Sequence, residues 1–345
     1  MTTYNADIGW INGNARLENL SGKFLAAHIG QIALMAFWAG AFTIFEVTRY
    51  NPDIPVYEQG LICIPQLARL GWGIGSGGVI VDSYPYFVIG VLHLIGCSVY
   101  AAGALYHAVK GPGDLSSSDV ARTANFHFDW DDSKKSGFVL GHHLIFIGVA
   151  CLLFVFWAAT YGIYDPAIGE VRTVAPDFNP VKIFKYGWAA RGYNPFLVSD
   201  LGDVMGGHLF IGSLEIAGGL FHIVVPPFDL AKRIFVQSGE GQLSFALAGL
   251  AVMGFNAAYY TAVNDVVFPV ELFGPVLETK LSVTPYFADT IESVGGNGHT
   301  ARFWIANFHF FLAFMNLQGH LWHALRASGF DFNRVPQAFS ALTPD

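Results

Sequence analysis

Six long apolar runs dominate this chain, near 24–47, 86–109, 137–161, 204–226, 241–263 and 303–325. Each is about as long as the 20 residues a helix needs to cross a bilayer. Gly, Pro, Asn and Asp gather between them, as in RYNPDIP at 49–55 and VVPPFD at 224–229. Only 13% of the residues are charged, against roughly a quarter in a soluble domain. The expected fold class is therefore an all-α membrane protein with six transmembrane helices, residues 1–345 forming a single domain. A net charge of −8 argues against a nucleic-acid partner. Cys63, Cys97 and Cys151 form no CxxC pair or even-numbered framework, so neither a disulfide scaffold nor a zinc site is expected. The polar first 22 residues lack the apolar core of a cleavable signal peptide.

Loop charge gives an orientation. Arg16, Lys23, Lys110, Arg122, Lys134, Lys135, Lys232, Arg233, Arg326 and Arg334 fall on one side, with both termini. The remaining eight basic residues are spread over three loops of about 40 residues each. The denser side is read as cytoplasmic.

The apolar runs hold most of the 12 histidines, and a ring nitrogen in hydrocarbon is costly without a partner. His93 and His107, His208 and His222, and His309 and His323 are each 14 apart. A glycine stands four residues before the second histidine each time: Gly103, Gly218 and Gly319. The shared pattern is H-x9-G-x3-H. On a helix the two rings lie about 40° apart on one face and about 21 Å apart along the axis. That spacing puts one ligand near each membrane surface. The glycine lies one turn from the second histidine and removes a side chain where a flat ligand would rest. Small-residue helix packing also favours glycine, but three identical spacings argue for a shared ligand.

The odd-numbered runs extend the repeat. His28 lies 65 residues before His93, and His143 lies 65 before His208. The same offset before His309 reaches Ser244, so the fifth helix is expected to lack a ligand there. Three helix pairs of one design suggest three hairpins in a pseudo-threefold ring.

Histidines 14 apart on one helix cannot converge on a bare metal ion. They suit a ligand that carries its own equatorial donors and needs one axial base. A chlorophyll magnesium needs one such base, and neutral imidazole supplies it. Haem b in an electron-transfer subunit is the rival, since helix pairs with histidines about 14 apart hold bis-histidine haems. An odd number of such helices does not divide into bis-histidine sites. His320 faces a direction near His323 and is a further pigment candidate. His142 points about 100° from His143, and only His143 keeps the repeat register. His127 and His299 lie in loops and read as solvated. Glu215, seven residues from both His208 and His222, suits either a pigment hydrogen bond or a neighbouring helix.

The segments GNARLENLSGKFLAAH at 13–28, GQIALMAFWAGAFTIFE at 30–46, DSYPYFVIG at 82–90, LGHHLIF at 140–146, PYFADTIE at 285–292 and QGHLWHALRASGFDFNRV at 318–335 resemble the CP43-like chlorophyll-binding antenna family. That family includes the photosystem II inner antennae, the iron-stress-induced chlorophyll-binding protein and the prochlorophyte chlorophyll-binding (Pcb) proteins. The resemblance covers nearly the whole chain. It implies axial magnesium ligands at His28, His93, His107, His143, His208, His222, His309, His320 and His323. It also implies Asn14 as a pigment ligand through its side-chain oxygen. Gln31 stands where photosystem II relatives have a histidine, and its amide oxygen can still ligate. His142 completes the set of cofactor-binding candidates.

Chlorophyll a is implied, with b or d as variants, beside carotenoid and lipid. The implied location is the thylakoid membrane, with no catalytic activity. The implied partners are a photosystem I or photosystem II core, and neighbouring copies or close paralogues in an antenna ring. Two departures narrow the branch. The loop before the sixth helix is only about 40 residues long. A photosystem II core antenna, the other alternative, has a far longer one there, so a peripheral antenna is expected. Thr261 replaces a cysteine of the iron-stress protein, which points to the Pcb branch.

Overall fold

The computed structural model describes residues 13–177, 198, 200–234, 236–281, 285–288, 299–332 and 334. Its long helices are α1 (Ser21–Arg49), α2 (Tyr84–Val109), α3 (Ser133–Thr160), α4 (Leu201–Val224), α5 (Gly239–Val263) and α6 (Ala301–Ala327). Each overlies an expected run, with ends displaced by four residues at most. Side chains start several of them. Asp200, Ser238 and Thr300 accept hydrogen bonds from the amides of Asp203, Gly241 and Phe303. Pro85 occupies the first turn of α2, where its missing N–H costs nothing. Gly329, at φ +92°, turns the chain out of α6.

Helices α1 to α5 are long and apolar enough to cross a membrane. Helix α6 is of similar length but more polar, carrying Arg302, Asn307, Asn316, Gln318, Arg326 and three histidines. It packs along α5. In the apolar stretch of α2 only 6% is buried, and no such stretch exceeds 22%. Most apolar side chains thus face outward, as a bilayer or apolar ligands require.

Two compact units form. One comprises Met1–Arg49 with Ser83–Ser136, and the other Tyr50–Asp82 with Gly137–Asp345. In the first, α1 and α2 pair as a hairpin. The loop after α2 folds back on the start of α1. Asp114, Ser21 and His127 meet there, and the Trp130 indole donates to the Glu18 carbonyl at 2.7 Å.

In the second unit α3 pairs with α4, and α5 with α6. The expected fold was all-α, but two short antiparallel ribbons are added between helices: β1 (Ile163–Asp165) with β2 (Glu170–Arg172), and β3 (Glu278–Lys280) with β4 (Tyr286–Ala288). Two buried arginines tie these loops to the helix ends. Arg69 donates to the carbonyls of Tyr164, Val266 and Val267. Arg302 donates to those of Thr261, Asn264, Phe268 and Gly274. Loop carbonyls that would otherwise be orphaned in a dry layer are satisfied this way.

All three hairpins use one packing register. Buried residues, small at all but Val155, recur every seven positions on the first helix of each: Ala26, Ala33 and Gly40; Gly141, Gly148 and Val155; Ser244, Ala251 and Ala258. Thr43, Ala158 and Thr261 follow three residues later, also buried. A seven-residue period is that of a left-handed helix pair. The backbones touch. A Cβ added at Gly141 would lie 2.5 Å from the Gly219 carbonyl oxygen, and one at Gly148 2.6 Å from that of Gly212. In α1 and α2 a Cβ at Gly40 would lie 2.7 Å from the Gly90 oxygen.

Candidate pigment site

Five histidines share one local geometry. Nδ1 of His28, His93, His142, His208 and His309 lies 2.8–2.9 Å from the carbonyl oxygen four residues earlier, on Phe24, Ile89, Phe138, Val204 and Ile305. A carbonyl only accepts, so Nδ1 carries the hydrogen. In the neutral tautomer the lone pair then resides on Nε2, and the ring is held at a fixed angle to its helix. Donation from the second ring nitrogen is how proteins orient metal-ligating imidazoles.

The remaining candidates divide. His320 Nδ1 lies 2.8 Å from the Ser244 carbonyl oxygen and 3.0 Å from its hydroxyl. His323 Nδ1 lies 2.6 Å from a Glu240 carboxylate oxygen. Both partners are on α5. Among the described residues, His107, His143 and His222 find no side-chain hydrogen-bond partner, and their rings lie 5.3–6.5 Å from those of Tyr106, Phe146 and Phe221. Asn14 is exposed in the helical turn before α1, and Gln31 is exposed on α1.

The packing register gives Ser244 a different place from the expected one. His28 and His143 each follow a buried contact residue, Ala26 and Gly141, by two positions. Ser244 is itself such a contact residue, 4% exposed, and the matching outward position on α5 is Ala246. The third hairpin has two residues fewer between its equivalent positions, and two residues turn a helix by about 200°. A constant offset of 65 therefore landed on the wrong face. Counting from His93, His208 and His309, the equivalents of Ala104 and Gly219 on α6 is His320. It stands where the other pairs carry a small contact residue, which is why it meets Ser244.

The same register keeps His143 in line with His28. Its neighbour His142 nevertheless has the anchored ring, 4.4 Å from Phe138, as His28 has with Phe24 at 4.1 Å.

Of the two loop histidines, His127 departs from the solvated reading and His299 keeps it. His127 is half-buried, its Nδ1 2.9 Å from Asp114 Oδ1 and 3.2 Å from Ser21 Oγ. His299 stacks on Phe303 at 3.9 Å while remaining exposed. Glu215 has a partner on the neighbouring helix, since the Cys151 thiol donates to its carboxylate at 3.9 Å. Nothing in the sequence pattern marked Glu240, which lies in the first turn of α5, 83 residues from His323.

These residues fit a planar tetrapyrrole. Helix packing does not require glycine at Gly218, because a Cβ there would meet no atom within 4 Å, nor any at Gly96, Gly207 or Gly249. Beside His222 the missing side chain instead leaves the backbone open to a flat ring. Among the described residues, no three His, Cys, Asp or Glu converge as they would around a bare ion.

The chain matches the family model described as photosystem II protein over residues 6–294. It is 56% identical to the chlorophyll a/b light-harvesting protein PcbA of Prochlorothrix hollandica, covering 99% of both chains. It is 47% identical to PcbB of the same organism, over 99% of this chain and 100% of the relative. The divinyl chlorophyll a/b light-harvesting protein PcbB of Prochlorococcus marinus (strain MIT 9313) is 47% identical over 98% of this chain and 97% of its own length. The chain belongs to this photosystem II protein family, among relatives that are Pcb light-harvesting proteins.

Proposed function

We propose that this chain is a peripheral light-harvesting antenna that binds chlorophylls and passes excitation energy to a photosystem. The observation that carries the reading is the repeated imidazole geometry. His28, His93, His208 and His309, at outward positions of the helix pairs, have Nδ1 committed to a carbonyl, which leaves Nε2 to coordinate. Single-base coordination of a chlorophyll magnesium asks for that arrangement. His28, His93, His107, His143, His208, His222, His309, His320 and His323 are the proposed axial ligands. His142, Asn14 and Gln31 are further pigment contacts. The names of the relatives support chlorophylls a and b as the pigments.

Six membrane spans, with α6 as the sixth, make three hairpins in a pseudo-threefold ring, and residues 1–345 act as one pigment-binding domain. Carotenoid and lipid cover the outward apolar faces. The location is the thylakoid membrane, with both termini on the cytoplasmic side. The partners are a photosystem I or photosystem II core, together with neighbouring copies or paralogues in an antenna ring. Bound chlorophyll absorbs the light and carries the excitation. The protein fixes the spacing and angle of the rings, and catalyses no covalent chemistry.

An absorption spectrum of the purified protein, followed by pigment extraction and chromatography, tests this. The expected result is a strong red band that dithionite leaves unchanged, with chlorophylls in the extract. Sharp bands that change with reduction indicate haem and overturn the reading.

A further inference from the structure

His323 is held unlike the carbonyl-anchored histidines. Its Nδ1 lies 2.6 Å from Glu240 Oε1, and Arg326 Nε lies 3.3 Å from the same oxygen. The carboxylate is 14% exposed, in the first turn of α5, where a helix N-terminus favours an anion. The oxygen that receives Arg326 also receives the imidazole Nδ1–H, leaving the lone pair on Nε2. A carboxylate acceptor raises the donor strength of Nε2 more than a backbone carbonyl does.

The geometry points to Glu240 as a positioning residue for the pigment ligand His323, setting its tautomer, ring angle and donor strength. This rests on the reading of His323 as an axial ligand. It predicts one chlorophyll whose axial bond is stronger than those on the carbonyl-anchored histidines. His320, whose Nδ1 is held by the Ser244 carbonyl, serves as the neighbouring comparison on the same helix.

The alternative is that Glu240 only ties α5 to α6 through Arg326. Such a tie leaves a pigment signature unchanged when the charge on Glu240 is removed but its oxygen kept. The test compares Glu240→Gln, Glu240→Ala and His323→Ala, purified with their pigments. It reads chlorophyll count per chain, low-temperature absorption, and the resonance Raman bands that report magnesium coordination.

Glu240→Gln is expected to keep the chlorophyll count, because its amide oxygen still accepts from Nδ1–H, while shifting the bands of one pigment. Glu240→Ala is expected to lower occupancy at that site by about tenfold. His323→Ala is expected to lose the same pigment. If His323→Ala loses a chlorophyll while both Glu240 variants match the wild type, the positioning role is overturned and the ligand stands. If His323→Ala keeps every chlorophyll with an unchanged spectrum, the ligand reading itself is overturned. Should Glu240→Ala not accumulate, Glu240→Gln decides: bands identical to the wild type overturn the proposal.

Discussion

An imidazole offers two nitrogens, and at seven of the ten histidine candidates the structure commits one of them to a protein acceptor. Which nitrogen remains is a chemical decision made by a partner, not by the histidine. The spacing of histidines was legible from sequence, but their partners at Ser244 and Glu240 were not. Those partners lie 76 and 83 residues away.

Asp114 makes the same point outside the membrane. The Ser116 amide and hydroxyl, with Ser21 and His127, hold its carboxyl at about 2, below the ordinary 3.8. A depressed carboxyl stabilises the fold above its unfolded value and stops doing so as pH falls through the folded one. The joint between the loop after α2 and the start of α1 is therefore expected to loosen between about pH 4 and pH 2. Hydrogen exchange at the Leu115 amide, which donates to Ser21 Oγ at 2.8 Å, reports it. Asp114→Asn is expected to show faster exchange already at neutral pH and a flatter response to acid. Equal protection from pH 5 to pH 2 in the wild type contradicts this account.

At the scale of elements, helices were legible because apolar runs of this length have few other ways to satisfy their backbone in lipid. Their pairing into three hairpins was legible from the histidine repeat, but the contact positions were not, because glycine serves two purposes that sequence does not separate. Gly219 is needed for helix contact, its Cβ falling 2.5 Å from the Gly141 oxygen, whereas a Cβ on the adjacent Gly218 meets nothing. Gly219→Ala is expected to force the helices apart and lower stability by about 1–3 kcal/mol. Gly218→Leu is expected to leave hairpin pairing intact and to displace or shift the chlorophyll on His222. Thermal melts with pigment counts separate the two. A melting temperature unchanged in Gly219→Ala, or full pigment with an unshifted spectrum in Gly218→Leu, contradicts the division.

At the scale of the whole molecule, three hairpins repeat one packing register while differing in ligands. The first two place histidine at the outward position, as His28 and His143, and the third places Ala246. Ala246→His restores the pattern, with the Gln242 carbonyl four residues earlier as its anchor. One additional chlorophyll per chain is the expected outcome, read by extraction against protein mass. An unchanged count in a folded variant shows that the register alone does not make a site.

The sequence by itself determined that six helices form and that histidines 14 apart share a face. These follow from the 3.6-residue period and the cost of bare polar groups in lipid, both local properties. Tertiary structure alone decided that Ser244 is a contact residue, that His320 fills a helix seam, that His127 joins Asp114, and that Glu240 holds His323. Each depends on which turns of two helices or loops meet, and that register is set by close packing of side chains far apart in the chain.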